Sequence, residues 1–70
     1  MRNNAKLPKV IGKRVQKRRN EIGYTQEKLA EMIGISRAYM GFIEQGRNAP
    51  SLEVLQKIAK ALKVSPKDLL

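Results

Sequence analysis

Apolar residues recur along most of the chain with the spacing of an α-helix. In the first segment Ile11, Val15 and Ile22 share one helical face, and Gly23 follows as a residue that can end a helix. Pro8 suits the first turn, where a backbone N–H has no helical partner. We therefore predict a first helix over residues 8–22.

Polar residues that can cap a helix alternate with glycines in the middle of the chain and divide it into two short helices. The predicted helices cover residues 26–33 and 37–45. The turn between them, Gly-Ile-Ser at 34–36, needs a residue that tolerates positive φ, and glycine supplies it. A small residue, Ala30, allows the two helices to cross closely. This pattern is typical of a helix-turn-helix, although its spacing also fits an ordinary helical hairpin.

Two more helices are predicted in the last third of the chain. Residues 52–62 carry leucine, isoleucine and alanine at helical spacing, and Ser51 can cap them. Ser65, Pro66 and Asp68 form the pattern of a capping box with proline at the first helical position, which indicates a short fifth helix. No segment alternates with a period of two. The predicted fold class is therefore all-α, with five helices and no strand.

Length and composition restrict the function. Seventy residues make one domain with a modest core. We expect residues 1–7 to form a flexible basic arm and residues 8–70 to form the folded domain. Cysteine and histidine are both absent, which removes disulfides, thiolate metal sites, the usual general base and the commonest metal ligand. We therefore expect no enzyme activity, no metal and no other cofactor.

The net charge of +9 indicates a polyanionic partner. The first twenty residues hold eight basic and no acidic side chains, whereas the rest holds seven basic and six acidic ones. Nucleic acid fits this charge best, and a solvated helix face or an anionic membrane surface is the alternative. No apolar run approaches the roughly 20 residues that span a bilayer, and the start has no signal-peptide pattern. We expect a soluble cytoplasmic protein with no membrane partner.

Several segments resemble one known family, the Cro/lambda-repressor-like proteins, also called the xenobiotic-response-element family. The likeness covers about residues 9–70 and implies a compact five-helix bundle. It also implies a bacterial or phage transcriptional regulator, a repressor by expectation, that binds double-stranded operator DNA as a homodimer on a palindrome. The segments that carry the resemblance are Gln26-Glu27-Lys28-Leu29-Ala30, Gly34-Ile35-Ser36, Ile43-Glu44-Gln45-Gly46-Arg47, Pro50-Ser51-Leu52 and Ala61-Leu62-Lys63-Val64-Ser65.

The resemblance further implies which residues contact DNA, with helix 37–45 lying in the major groove. The residues expected to face the bases are Ser36, Arg37, Ala38 and Phe42. Those expected at the DNA backbone are Thr25, Gln26, Tyr39, Arg47 and Asn48, joined on grounds of charge by Lys13 and Arg18 of the first helix. Arg19 and Glu44 match a pair that forms an internal salt bridge in relatives, so neither is expected to contact DNA.

The chemistry of individual residues leaves alternatives open. Arg37 could read guanine through O6 and N7, or only contact a phosphate. Phe42 could pack on a thymine methyl group or complete the core, and Tyr39 could bind a phosphate or pack partly in the core. Gly41 costs about 1 kcal/mol in mid-helix. That cost fits a close approach of its backbone either to DNA or to the second helix.

Two further questions concern partners. Leu69 and Leu70 of the fifth helix could form the dimer surface or only close the core. The basic arm at residues 2–6 could reach the minor groove. The alternative function is an antitoxin-type or other protein-partner module that uses the same fold.

Overall fold

The structure, a computed structural model, describes residues 6–70. These residues form four α-helices and one short 3-10 helix, and no strand occurs among them. The α-helices are α1 (Lys6–Ile22), α2 (Gln26–Ile33), α3 (Arg37–Gln45) and α4 (Leu52–Ala61), and the terminal 3-10 helix spans Pro66–Leu69. None of the described helices is long and apolar enough to cross a membrane. The predicted bounds of α2 and α3 are confirmed to the residue.

Local chemistry sets both ends of α2 and α3. The side-chain oxygens of Thr25 and Ser36 each accept a hydrogen bond at 3.0 Å from the N–H three residues later. These bonds satisfy N–H groups that have no partner within the helix. Gly34 and Gly46 end the two helices with φ of 80° and 76°. Glycine adopts this left-handed conformation without steric cost, so each helix stops there.

The predicted start of α1 is wrong by two residues. The helix begins at Lys6, so Lys6 and Leu7 belong to it and not to the flexible arm predicted over residues 1–7. Pro8 becomes the third helical residue, a position whose N–H would still have no partner inside the helix. Residues 1–5, which include Arg2 of the proposed basic arm, lie outside the described residues.

The predicted fifth α-helix is instead a single 3-10 turn. The Asp68 carboxylate accepts a hydrogen bond from the Ser65 N–H at 2.9 Å, as the capping pattern predicts. The backbone bonds, however, join residues three apart, from the Asp68 N–H to the Ser65 carbonyl and from the Leu70 N–H to the Lys67 carbonyl. Four residues favour this tighter turn, which suffices to bring Leu69 into the core.

One hydrophobic core joins all five elements. Its largest fully buried side chains are Val15, Leu29, Met40, Ile43, Ile58, Leu62 and Leu69. Leu69 is only 1% exposed and closes the core, which is one of the two alternatives predicted for it, whereas Leu70 is half exposed. α3 packs mainly on α1 and α2, and α4 packs on α2 and the terminal 3-10 helix. The outer side of α3 is consequently left without cover by the other described elements.

Two glycines allow α1 and α3 to cross in backbone contact. A Cβ atom at Gly12 would lie 2.5 Å from the Ile43 carbonyl oxygen and 2.7 Å from that of Glu44. A Cβ at Gly46 would lie 2.8 Å from Cα of Lys9. All three distances are too short for a real Cβ atom. The position of α3 against α1 therefore depends on the absence of side chains at these two points.

We expect Gly12→Ala to destabilise the domain, although alanine favours helices more than glycine. Two backbone carbonyls would have to move, at a cost of about 1–3 kcal/mol. Gly41→Ala is the matched control, since a Cβ there meets nothing within 4 Å. That change should stabilise the free domain by about 1 kcal/mol. Urea unfolding measures both, and a Gly12→Ala variant as stable as the original chain would contradict the close crossing.

Candidate nucleic-acid interface

α3 buries one side and exposes the other. Its buried residues are Met40, Ile43 and Glu44. The helical repeat then places Ala38 and Phe42 on the opposite side, and both are exposed. Arg37 is exposed as well, as the first residue of the helix. A Cβ atom at Gly41 would meet nothing within 4 Å, so close packing against α2 does not explain the glycine. We call the exposed residues 37, 38, 42 and 45, together with the partly exposed Gly41, the outer face of α3.

The outer face includes one residue that was not among the predicted contacts. Gln45 follows Ala38 by two helical turns and is exposed. A glutamine carboxamide can bind adenine through N6 and N7 in the major groove. The helical period alone would have identified this position, because residues 38, 41 and 45 share a face.

The residues predicted to contact the DNA backbone differ in exposure. The exposed ones are Lys13, Thr25, Arg47 and Asn48. Ser36, predicted to face the bases, is exposed too, but its hydroxyl caps α3. Tyr39 is partly buried and packs against the core, which agrees with one of its two predicted roles. The exposed residues flank α3 along the chain, before α2 and after α3.

Arg18, predicted to contact a phosphate, is partly buried and bonds to the protein. Its Nε donates a hydrogen bond to the Leu62 carbonyl at 3.0 Å, and its Nη1 contacts Glu21 at 3.4 Å. Leu62 follows the last residue of α4, where carbonyl groups lack partners within the helix. The guanidinium therefore joins α1 to the end of α4, and its contact with a phosphate stays a prediction.

A buried ion pair connects α1 to α3. Arg19 Nε lies 2.6 Å from Glu44 Oε2, and Arg19 Nη2 lies 3.0 Å from Oε1, which is the bidentate arrangement that binds most strongly. Both residues are 8% exposed. Gln26 Nε2 donates a second hydrogen bond to Oε1 at 2.9 Å, so α2 joins the network. Arg19 also donates to the Tyr24 carbonyl at 2.8 Å.

The ion pair also removes a negative charge from the helix surface. Glu44 is the one carboxylate of α3, and it points inward to Arg19. The hydrogen bond and the charge of Glu44 raise the pKa of Arg19, although burial opposes the rise. A raised folded-state pKa stabilises the fold below the unfolded pKa and ceases to do so only above the folded one. For arginine that loss is confined to strongly alkaline solution.

Arg47 stacks on the ring of Phe42. The guanidinium carbon lies 5.3 Å from the ring centroid, and the Arg47 N–H donates to the Phe42 carbonyl at 3.1 Å. Gly46 between them takes the left-handed conformation, a helix ending that brings these two side chains together. Phe42 is 42% exposed. Its ring therefore does not complete the core, which settles one of the alternatives left open for it.

Two short helices joined by a glycine turn, the second with an uncovered outer face, define a helix-turn-helix protein. Residues 15–69 match the helix-turn-helix family profile. The chain belongs to this family of Cro- and C1-like proteins, and it is a DNA-binding transcriptional regulator.

The chain is similar to individual relatives over most of the matched chains' lengths. The chain is 42% identical over 71 residues to the control protein C.BamHI of Bacillus amyloliquefaciens, covering 100% of this chain and 85% of that protein. The restriction-modification controller protein C.AhdI from Aeromonas hydrophila superposes with a TM-score of 0.85 and 35% identity, over 90% of this chain and 96% of that one. SinR, the master regulator for biofilm formation, superposes in its complex with DNA with a TM-score of 0.79 and 37% identity, over 84% and 95% of the two chains.

We expect Glu44→Leu to cost about 3–5 kcal/mol of unfolding free energy, because it leaves the Arg19 guanidinium buried without its partner. Removing both charges in the double variant Arg19→Met, Glu44→Leu should recover much of that loss, since apolar side chains can replace a buried pair. Chemical denaturation of the single and double variants measures the difference. A single variant that loses less than about 1 kcal/mol, the usual range of surface pairs, would contradict a structural role for the network.

Proposed function

We propose that the protein binds operator DNA by placing α3 in the major groove and acts there as a repressor. The observation that carries this proposal is the outer face of α3, which no other described element covers and from which the only carboxylate of the helix is turned away. The major groove, about 12 Å wide, admits one α-helix. The similarity to SinR, whose structure was solved in complex with DNA, supports DNA as the ligand.

The side chains of the outer face fit the chemistry of base edges. Arg37, the first residue of α3, can donate two hydrogen bonds to O6 and N7 of a guanine. Gln45 fits adenine at the other end of the helix. Ala38, between them, has only a methyl group and allows the helix to lie close to the bases. Ser36 already caps α3, so its contribution is to present the first N–H groups of the helix to a phosphate.

Residues on either side of α3 are suited to the phosphates that border the groove. Thr25 and Gln26 lie at the start of α2, and the hydrogen bond from Gln26 to Glu44 holds that start beside α3. Arg47 and Asn48 are exposed directly after α3. Lys13 adds a positive charge from α1. Contacts of this kind position the protein, whereas the outer face selects the sequence.

Selection of random DNA duplexes by the purified protein, followed by sequencing, tests the proposal. We expect one enriched sequence that contains a guanine in each half-site. Arg37→Ala should then lose the preference at one base pair per half-site, worth about 1–3 kcal/mol. Lys13→Ala should weaken all sequences equally and flatten the salt dependence by about one phosphate contact.

Lys60→Ala is the matched control, because it also removes one positive charge but does so in the groove between α2 and α4, beside Met32. It should change neither selectivity nor salt dependence measurably. If Arg37→Ala weakens binding to every sequence alike, Arg37 contacts only phosphate. If the original chain enriches no sequence at all, the operator-binding proposal is wrong.

We further propose that two copies bind a palindromic operator through a surface around Leu52. This residue is the first of α4, follows α3 by a short loop, and is 68% exposed. Two copies of α3 must reach half-sites about 34 Å apart, so a contact close to the end of α3 suits a two-fold dimer. The buried Leu69 offers no such surface.

We expect Leu52→Glu to dissociate the dimer in sedimentation experiments, because a carboxylate would be buried without a partner. Affinity for the full palindrome should fall by more than about tenfold, while affinity for one half-site stays the same. Leu70→Glu is the matched control, since Leu70 is also an exposed leucine but directly follows the terminal 3-10 helix. A strictly monomeric original chain, or dissociation by Leu70→Glu alone, would contradict the proposed surface.

Two of the relatives, a control protein and a restriction-modification controller protein, point to one type of regulator. C.BamHI matches the whole chain, and C.AhdI is matched over nearly its whole length. We propose that this protein likewise controls a restriction-modification operon. The sequence enriched by selection should then occur upstream of a restriction or modification gene close to its own gene, and its absence there would exclude this role.

A further inference from the structure

The ring of Phe42 is exposed and lies outside the hydrophobic core. We propose that Phe42 and Arg47 form a composite DNA contact, in which the ring packs on the 5-methyl group of a thymine and the stacked guanidinium binds a phosphate beside it. This inference rests on the proposed function of α3 and adds to it one base preference and the residue pair that produces it.

The position of Phe42 supports a contact with a base edge. The residue follows Ala38 by one helical turn and belongs to the outer face of α3. Although Met40, Ile43 and Glu44 hold the opposite side in the interior, the ring remains 42% exposed. Apolar surface left in water is unfavourable, and it gains free energy when an apolar group covers it. A helix inserted in a groove would bring the ring to such a group.

The chemistry of the major groove restricts what the ring can recognise. A phenyl ring has neither a hydrogen-bond donor nor an acceptor for the polar edges of guanine, cytosine or adenine. Thymine alone presents a methyl group there. Phe42 therefore favours thymine at one position of each half-site, distinct from the positions read by Arg37 and Gln45.

The end of α3 determines where the guanidinium lies. The left-handed Gly46 directs the Arg47 N–H to the Phe42 carbonyl and sets the guanidinium over the ring at 5.3 Å. An arginine side chain ordinarily loses much conformational freedom when it binds a ligand. The stack restricts that freedom before binding, so Arg47 is arranged in advance for a phosphate. Phe42 is thus a positioning residue for Arg47 as well as a contact for the base.

Deoxyuridine substitution tests the base contact, because uracil differs from thymine only by the missing methyl group. Each thymine of the selected operator is replaced in turn, and affinities are measured with the full chain. We expect one position per half-site at which uracil weakens binding about fourfold, the value of one buried methyl group. Phe42→Ala should bind the thymine and uracil duplexes at that position equally.

Two further variants separate the roles of the pair. Arg47→Ala should keep the thymine preference while it weakens binding about tenfold, as expected for one charge-assisted hydrogen bond. In a Phe42→Leu background the same Arg47→Ala change should weaken binding clearly less, because the guanidinium is no longer held by a ring. An undiminished effect of Arg47→Ala in that background would overturn the positioning role.

The outcomes distinguish this inference from the function on which it rests. Sequence-specific binding that is indifferent to uracil at every position would overturn the thymine contact alone. Loss of thymine preference in Arg47→Ala would show that the arginine, and not the ring, carries it. Absence of any sequence preference in the original chain would overturn the proposed function together with this inference.

Discussion

The buried ion pair between Arg19 and Glu44 sets the orientation of α3, and the exposed surface of the helix depends on that orientation. Its two short hydrogen bonds join α1 to α3, and the amide of Gln26 brings the start of α2 into the same network. Because no buried side-chain nitrogen or oxygen of the described residues lacks a hydrogen-bond partner, the charges remain inside without the cost of an unpaired ion. The contact fixes the rotation of α3 about its own axis, and this rotation decides which residues face outward.

Backbone contact between α1 and α3 makes that arrangement possible. Gly12 and Gly46 allow the two helices to approach until main-chain atoms touch, so the arginine of one helix can reach the carboxylate of the other. The outer face of α3 is then held in place by contacts on the inner side of the helix. Under the proposed function, stability and sequence preference depend on largely separate sets of residues.

The sequence predicted those elements whose ends depend on local chemistry. α2 and α3 have a capping side chain and a terminal glycine, which act within four residues. Pro8 is tolerated throughout the first turn, so it could not give the start of α1. A capping pattern does not distinguish an α-helix from a 3-10 turn, so it could not give the type of the last helix. The hydrogen bond of Arg18 could not be predicted either, because its partner, the Leu62 carbonyl, is 44 residues away along the chain.

The division of α3 into an inner and an outer side has a consequence for divergence. Substitutions on the outer face leave the core contacts intact. After a gene duplication, two copies of such a regulator could therefore acquire different operator sequences while the fold stays the same. Phe42 and Arg47 cannot be substituted independently in this way, because the turn at Gly46 places one side chain on the other. Among descendants of this chain these two positions should change together, and a lineage that loses the ring should also reassign the arginine.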